Sequence, residues 1–417
     1  MTPAALAALA RATAVDVLAA RGLDPAALPA VTFERPRNPE HGDYATSLAL
    51  RTAGRLGVGP RDLAGWLADA LVRTGAVASA EVAGPGFLNL RLAAAARGEV
   101  VREALAAGGA YGRGDRLAGV RVDLVLAPAD PADPLHPGDA RRAAVADALG
   151  RVLAANGAEV TSGRRSDDGA ARRPGADPAL DGTGRDFGAG DAGRSPGGRA
   201  HGSDLRLCLR GADDRVGAAA AAGDDPATVE VLTVRPANLV GGPARPGAVT
   251  LRDLVGAVGA DAARYALTRS PADSALDVDP ARLRRRTDEN PVFPVQHAHA
   301  RTCSALRNAA DLGLAPNDSF DLLRHDREGE LIRVIGEFPS VVAAAGESRE
   351  PHRVARYLEE LAGAVHRLHD TPELRVLPRG DEEPTEAQGA RLNLCAAARQ
   401  VLAGGLDLLG VSAPERV

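Results

Sequence analysis

Between Gly163 and Ser203 the chain offers only two large apolar side chains, Leu180 and Phe187; glycine, arginine, aspartate, alanine and proline fill most of the rest. Such a composition cannot remove enough apolar surface from water to offset the entropy lost on ordering, so residues 163–203 are expected to be disordered. The stretch falls inside a pattern that otherwise reads as a parallel α/β unit. Val120–Leu126 is strand-like, a proline-rich loop follows, Asp139–Ala155 has helical character, and Gly157–Thr161 begins a second strand. Leu205–Leu209 and Val229–Val234 then supply further short strands. Strand, loop, helix, strand is the opening of a sheet with crossover helices. Here it is interrupted in its middle.

The flanks read differently. Ala4–Arg21 carries Leu6, Leu9, Val15 and Leu18 near helical spacing, and Gly22 is placed to end that helix. Val31–Glu34 is strand-like, Asp62–Val72 suits a helix, and Val82 and Phe87–Leu90 read as strands around Gly84-Pro85-Gly86. A small α+β domain is expected there. From Thr250 onward the chain turns helical, with Thr250 and Asp253 resembling a helix start. Helices are expected over Asp261–Thr268, Asn290–Leu312, Glu328–Ala345, Pro351–His369 and Ala387–Leu409, the last closed by Gly410. The reading is therefore a multidomain α+β and α/β chain. Residues 1–110 form the small α+β domain, 118–286 a truncated Rossmann-like domain, and 287–417 an all-α bundle.

Composition narrows the function. All 50 Lys+Arg residues are arginine, so any active site that needs a lysine ammonium beside a phosphate is excluded. A net charge of -5 argues against a broad nucleic-acid-binding surface, although local arginine patches remain open. Cys208, Cys303 and Cys395 are far apart and show neither zinc-ligand nor disulfide spacing, so no metal is expected. Neither a signal segment nor a membrane-spanning run is evident, and a cytoplasmic location is expected.

Two runs near the N-terminus, Glu34-Arg35-Pro36-Arg37-Asn38-Pro39-Glu40-His41-Gly42-Asp43-Tyr44-Ala45 and Ala83-Gly84-Pro85-Gly86-Phe87-Leu88-Asn89, resemble the N-terminal additional domain of arginyl-tRNA synthetases. Glu350–Leu358 and Arg399–Gly410 resemble the DALR anticodon-binding domain of the same family, and Asn290–Arg301 resembles the junction helix leading into it. The resemblance implies tRNA, and tRNA-Arg in particular, as the partner. Its RNA-facing positions would be Arg35, Arg37, Tyr44, Gln296, Arg301, Arg356, Tyr357 and Arg399. Planar guanidinium forks suit RNA phosphates. On residue type alone the helix arginines read equally as a solvated face, and Tyr357 as core.

The middle of the chain departs from the family. Asp133–Arg141 stands in the place of the class I signature, whose usual form is His-Ile-Gly-His. His136 and Gly138 match it, Asp139 replaces the second histidine, and Pro137 removes a backbone donor. That signature exposes N–H groups and imidazoles to ATP phosphates, so an acid there opposes its purpose, and Asp139 reads instead as a helix cap. The Val249–Leu254 segment survives, but where the family has Lys-Met-Ser-Lys before it, Arg245 is the only cation, between Pro243 and Pro246. Asp213, in Gly211–Arg215, resembles a remnant of the amino-acid pocket, or forms a surface turn. The leading expectation is a tRNA-binding synthetase relative with no catalytic residues and no cofactor. The alternatives are an active arginine–tRNA ligase using ATP and magnesium with divergent signatures, and a protein-binding scaffold with no RNA ligand.

Overall fold

A computed structural model describes the chain except for residues 37, 39–40, 127–136, 166–170, 173–204, 212–228, 236 and 241–250. The described residues divide into two compact units. One comprises Met1–Tyr111, Thr302–Ser340 and Ala364–Gln400. The other comprises Gly112–Arg301, Val341–Gly363 and Val401–Val417.

The first unit begins with α1 (Pro3–Ala19), β1 (Tyr44–Thr46), α2 (Leu48–Leu56), α3 (Pro60–Arg73), β2 (Val77–Ala83), β3 (Phe87–Leu92) and α4 (Ala94–Ala107). Thr2 caps α1, accepting from the Ala5 N–H at 3.3 Å, and Pro3 suits the first helical position. The strands form one antiparallel sheet in the order β1-β3-β2. Alternation along β3 sends Leu88, Leu90 and Leu92 inward against Leu6, Leu18, Leu63 and Leu67. The expected strand at Val31–Glu34 is not formed; a single bridge, Glu34 to Ala45, takes its place.

Part of the motif around Gly42 proves to be architectural. Gly42 has φ 113°, and a Cβ added there would meet the Leu90 carbonyl oxygen at 2.6 Å. Only glycine lets the loop lie that close to β3. Next to it, Asp43 Oδ2 accepts from the Leu92 N–H at 2.7 Å and from Arg97 at 3.4 Å. We expect Gly42→Ala to destabilise this unit by at least about 2 kcal/mol, measured by urea unfolding, because strain and clash add.

The second unit contains β4 (Arg121–Leu126), α5 (Pro137–Ala155), β5 (Glu159–Arg165), β6 (Ala171–Arg172), β7 (Leu205–Gly211), β8 (Val229–Val234), β9 (Ala237–Leu239), α6 (Leu251–Val258), α7 (Ala260–Thr268), β10 (Leu276–Val278) and α8 (Pro280–Leu283). The main sheet runs β6-β5-β4-β7-β8. Its β5-β4-β7-β8 core is parallel and β6 pairs antiparallel at the edge. Val145, Leu149 and Leu153 of α5 cover Val122, Leu124, Leu207 and Leu209 of the sheet. Gly163–Arg165 and Ala171–Arg172, expected to be disordered, are strand residues; the rest of 163–203 lies outside the described residues. The Thr250 cap also lies outside them.

Four long helices complete the chain as its C-terminal helical bundle: α9 (Val292–Asp311), α10 (Asp326–Ser348), α11 (His352–Asp370) and α12 (Glu386–Leu408). Gly410, at φ 67°, follows α12 in the left-handed conformation that ends helices. No helix among the described residues is long and apolar enough to cross a membrane.

Candidate nucleic-acid interface

The segment that resembles the class I signature is only partly described. His136, Asp213 and Arg245 lie outside the described residues. Pro137, Gly138 and Asp139 form the first turn of α5, so Asp139 sits inside the helix and not at its cap, as the sequence had suggested. Directly behind that turn, Arg141 is fully buried, at 0% exposure. Its guanidinium donates to four backbone carbonyls: Ser274 at 2.6 Å, Arg235 at 2.8 Å, Pro271 at 2.8 Å and Leu267 at 3.4 Å. Burial pulls this guanidinium below its ordinary pKa, and the charge of Asp273 opposes the shift. Five N–H donors in a fixed fork are what such a ring of carbonyls can satisfy. Nothing in the sequence separates Arg141 from a solvated helix arginine.

The positions expected to face RNA divide between surface and core. In the first unit Tyr44 is 4% exposed, with its ring edge-on to Phe33 at 6.2 Å. Arg399, on α12, is exposed. Arg37 lies outside the described residues. In the second unit Tyr357 is likewise 4% exposed. Both tyrosines therefore pack the core in this structure, and neither ring is open to a nucleobase. Arg356 is exposed and pairs with Glu359 at 3.6 Å; Arg301 is half-buried. Gln296 is committed within the protein: its amide donates to Asp261 Oδ2 at 2.8 Å and to the Ser412 carbonyl at 3.0 Å. Asp261 also accepts from the Ser412 N–H at 3.0 Å, while His299 Nδ1 meets the Pro414 carbonyl at 2.9 Å. These side chains strap residues 412–414 to α7 and α9.

Arg35 leads to a group that the sequence did not single out. In the first unit Arg35 approaches Glu330 Oε1 at 3.9 Å. The same carboxylate accepts from Arg367 at 2.8 and 3.4 Å and from Arg327 at 3.1 Å. Burial alone would raise the Glu330 pKa; hydrogen bonds and charge from Arg367 and Arg327 outweigh it and hold the carboxyl below the usual glutamate value. Arg327 is the i,i+3 neighbour of Glu330 on α10, which is a recognisable signal. Arg367 lies on α11, and only the fold brings it near.

An N-terminal α+β region, a parallel-sheet α/β core and a C-terminal helical bundle define a multidomain chain of the class I synthetase type. Two family models match it: the arginyl tRNA synthetase N terminal domain over residues 6–92 and the DALR anticodon binding domain over residues 295–417. The chain is thus an arginyl-tRNA synthetase-related protein. Similar solved structures agree in fold. The Thermus thermophilus arginyl-tRNA synthetase is 18% identical with a TM-score of 0.68, the match covering 100% of both chains. The Plasmodium falciparum arginyl-tRNA synthetase is 10% identical with a TM-score of 0.66, over 100% of this chain and 99% of that one. A putative arginyl-tRNA synthetase from Campylobacter jejuni is 16% identical with a TM-score of 0.58, over 78% of this chain and 100% of that one.

Proposed function

We propose that the protein binds tRNA, tRNA-Arg being the first candidate, through its N-terminal and DALR regions, and that it does not carry out ATP-dependent arginylation. The observation that carries the first half is the pair of family matches framing the chain, one of them an anticodon-binding domain. The second half rests on sequence. The chain has no lysine to neutralise a triphosphate, and Asp139 stands in the first turn of α5 where the family's signature places a histidine. An anion at a helix start competes with a bound phosphate for the same positive end of the helix dipole.

Filter binding of total tRNA at two salt concentrations tests the RNA half. Binding through phosphates weakens steeply with salt, whereas a scaffold with no RNA ligand shows no binding at either concentration. Replacing Arg301, Arg356 and Arg399 together with alanine is expected to weaken tRNA binding. It should also flatten the slope of log K against log salt by about 2, at about 0.7 per lost contact. An unchanged slope in that triple variant places the RNA face elsewhere.

A further inference from the structure

The cluster around Glu330 has more donors than a structural brace requires. A carboxylate offers about four lone-pair sites. Arg367 fills two of those on Glu330 and Arg327 a third, with Arg35 drawn to the rim at 3.9 Å. One carboxylate therefore serves two guanidinium groups by hydrogen bond, with a third beyond hydrogen-bond range at its rim. Among the described residues Glu330 is the only ion-pair partner of Arg327 and of Arg367. Each guanidinium carries five N–H groups, so both have donors left over after Glu330 is satisfied. The side chains of Arg327 and Arg367 are 45% and 40% exposed, and that of Glu330 only 21%. Both arginine side chains are thus more open to solvent than the carboxylate they share.

We propose that Arg327 and Arg367, gathered by Glu330 and joined at the rim by Arg35, form a seat for a phosphate of an RNA backbone. This deepens the tRNA-binding reading and rests on it. Glu330 costs the site some attraction, but it holds two flexible side chains in one place. Less side-chain freedom is then lost when the phosphate arrives. The contact is with backbone and not with bases, so it adds affinity and salt dependence without sequence preference. The seat is built from the loop after Glu34, the start of α10 and the end of α11, all within the first unit.

The test is tRNA affinity across a salt series for the full chain and for Arg327→Ala/Arg367→Ala and Glu330→Gln. The double variant is expected to bind about tenfold more weakly at 0.15 M salt and to flatten the salt slope by about 1 to 2. Glu330→Gln is the sharper arm. Removing the carboxylate charge that Arg327 and Arg367 share is expected to tighten tRNA binding by about threefold even if the fold loses stability. A brace with no ligand predicts the opposite, weaker or unchanged binding together with lower stability, and that result overturns the proposal. Should the double variant fail to fold, Arg327→Ala alone carries the comparison, since Arg367 still pairs with Glu330. Wild-type binding with an unaltered slope in the arginine variants removes the seat and leaves the tRNA reading standing. No tRNA binding by the wild-type chain removes both.

Discussion

Arginine-dependent exchange of pyrophosphate into ATP is expected to be absent, or to run about 10⁴–10⁶-fold below an intact enzyme of this family. Losing a single preorganised group that stabilises developing charge costs about 10²–10³ in rate. Here two are gone at once: the second signature histidine is Asp139, and no lysine exists anywhere in the chain to replace the mobile ammonium of the second loop. Two such losses multiply when they act on separate parts of the phosphate chain. Arg245 brings charge, but a planar guanidinium does not match a mobile point charge, and Pro243 and Pro246 stand on either side of it in the sequence. The measurement is isotope exchange with arginine, ATP and tRNA all present. Exchange at a useful rate would return the chain to the active ligases and leave the tRNA-binding proposal unaffected.

The second large effect concerns stability. Arg141→Met keeps much of the side-chain volume and removes every donor. We expect it to destabilise the second unit by about 3–5 kcal/mol, because the carbonyls of Leu267, Ser274 and Arg235 would lose their guanidinium donor, while that of Pro271 would keep the Ser274 N–H and hydroxyl. Those carbonyls belong to the segment just before β9, to the end of α7 and to the turn leading to β10. Their loss should first appear as faster hydrogen exchange in α5 and the β9–β10 pair, followed by a lower denaturation midpoint. A shift below about 1 kcal/mol would mean that water reaches the carbonyls and that the guanidinium is not their essential partner.

Much of the fold is legible in the residues where one period dominates. The apolar spacing of α1, the Gly84–Gly86 turn between β2 and β3, and the β4–α5–β5 passage all follow from local pattern. Where local pattern is weak, reading fails for identifiable reasons. α4 is rich in alanine and lacks an apolar stripe, and α2 is short and follows directly on β1. β1 itself lies within a motif that reads as turn, and its pairing with β3 depends on residues more than forty positions away. The site residues divide along the same line. Arg35 and Arg399 lie at the surface, whereas Tyr44 and Tyr357 are drawn inward because an aromatic ring gains more by burial than a loop gains by displaying it. Gln296 is occupied by Asp261 and by Ser412, a partner at the far end of the chain that no local window includes. The burial of Arg141 and the arrival of Arg367 at Glu330 are hidden for the same reason: a charged residue on a helix gives no sign of what converges on it from elsewhere.

The way the two units share the chain has a consequence for biosynthesis. Each is assembled from three stretches separated by long intervals, the first closing at Gln400 and the second only at Val417. Neither can reach its final packing while the ribosome is still making α12. The core of Leu6, Leu18, Leu63, Leu67, Leu88 and Leu90 comes from the first hundred residues alone, but the rest of each unit must wait for partners that emerge later. Chains of such high contact order fold slowly and pass through states with uncovered apolar faces. A chain interrupted within α12 would leave both units unfinished, and chaperone demand should be greatest while that helix is being made.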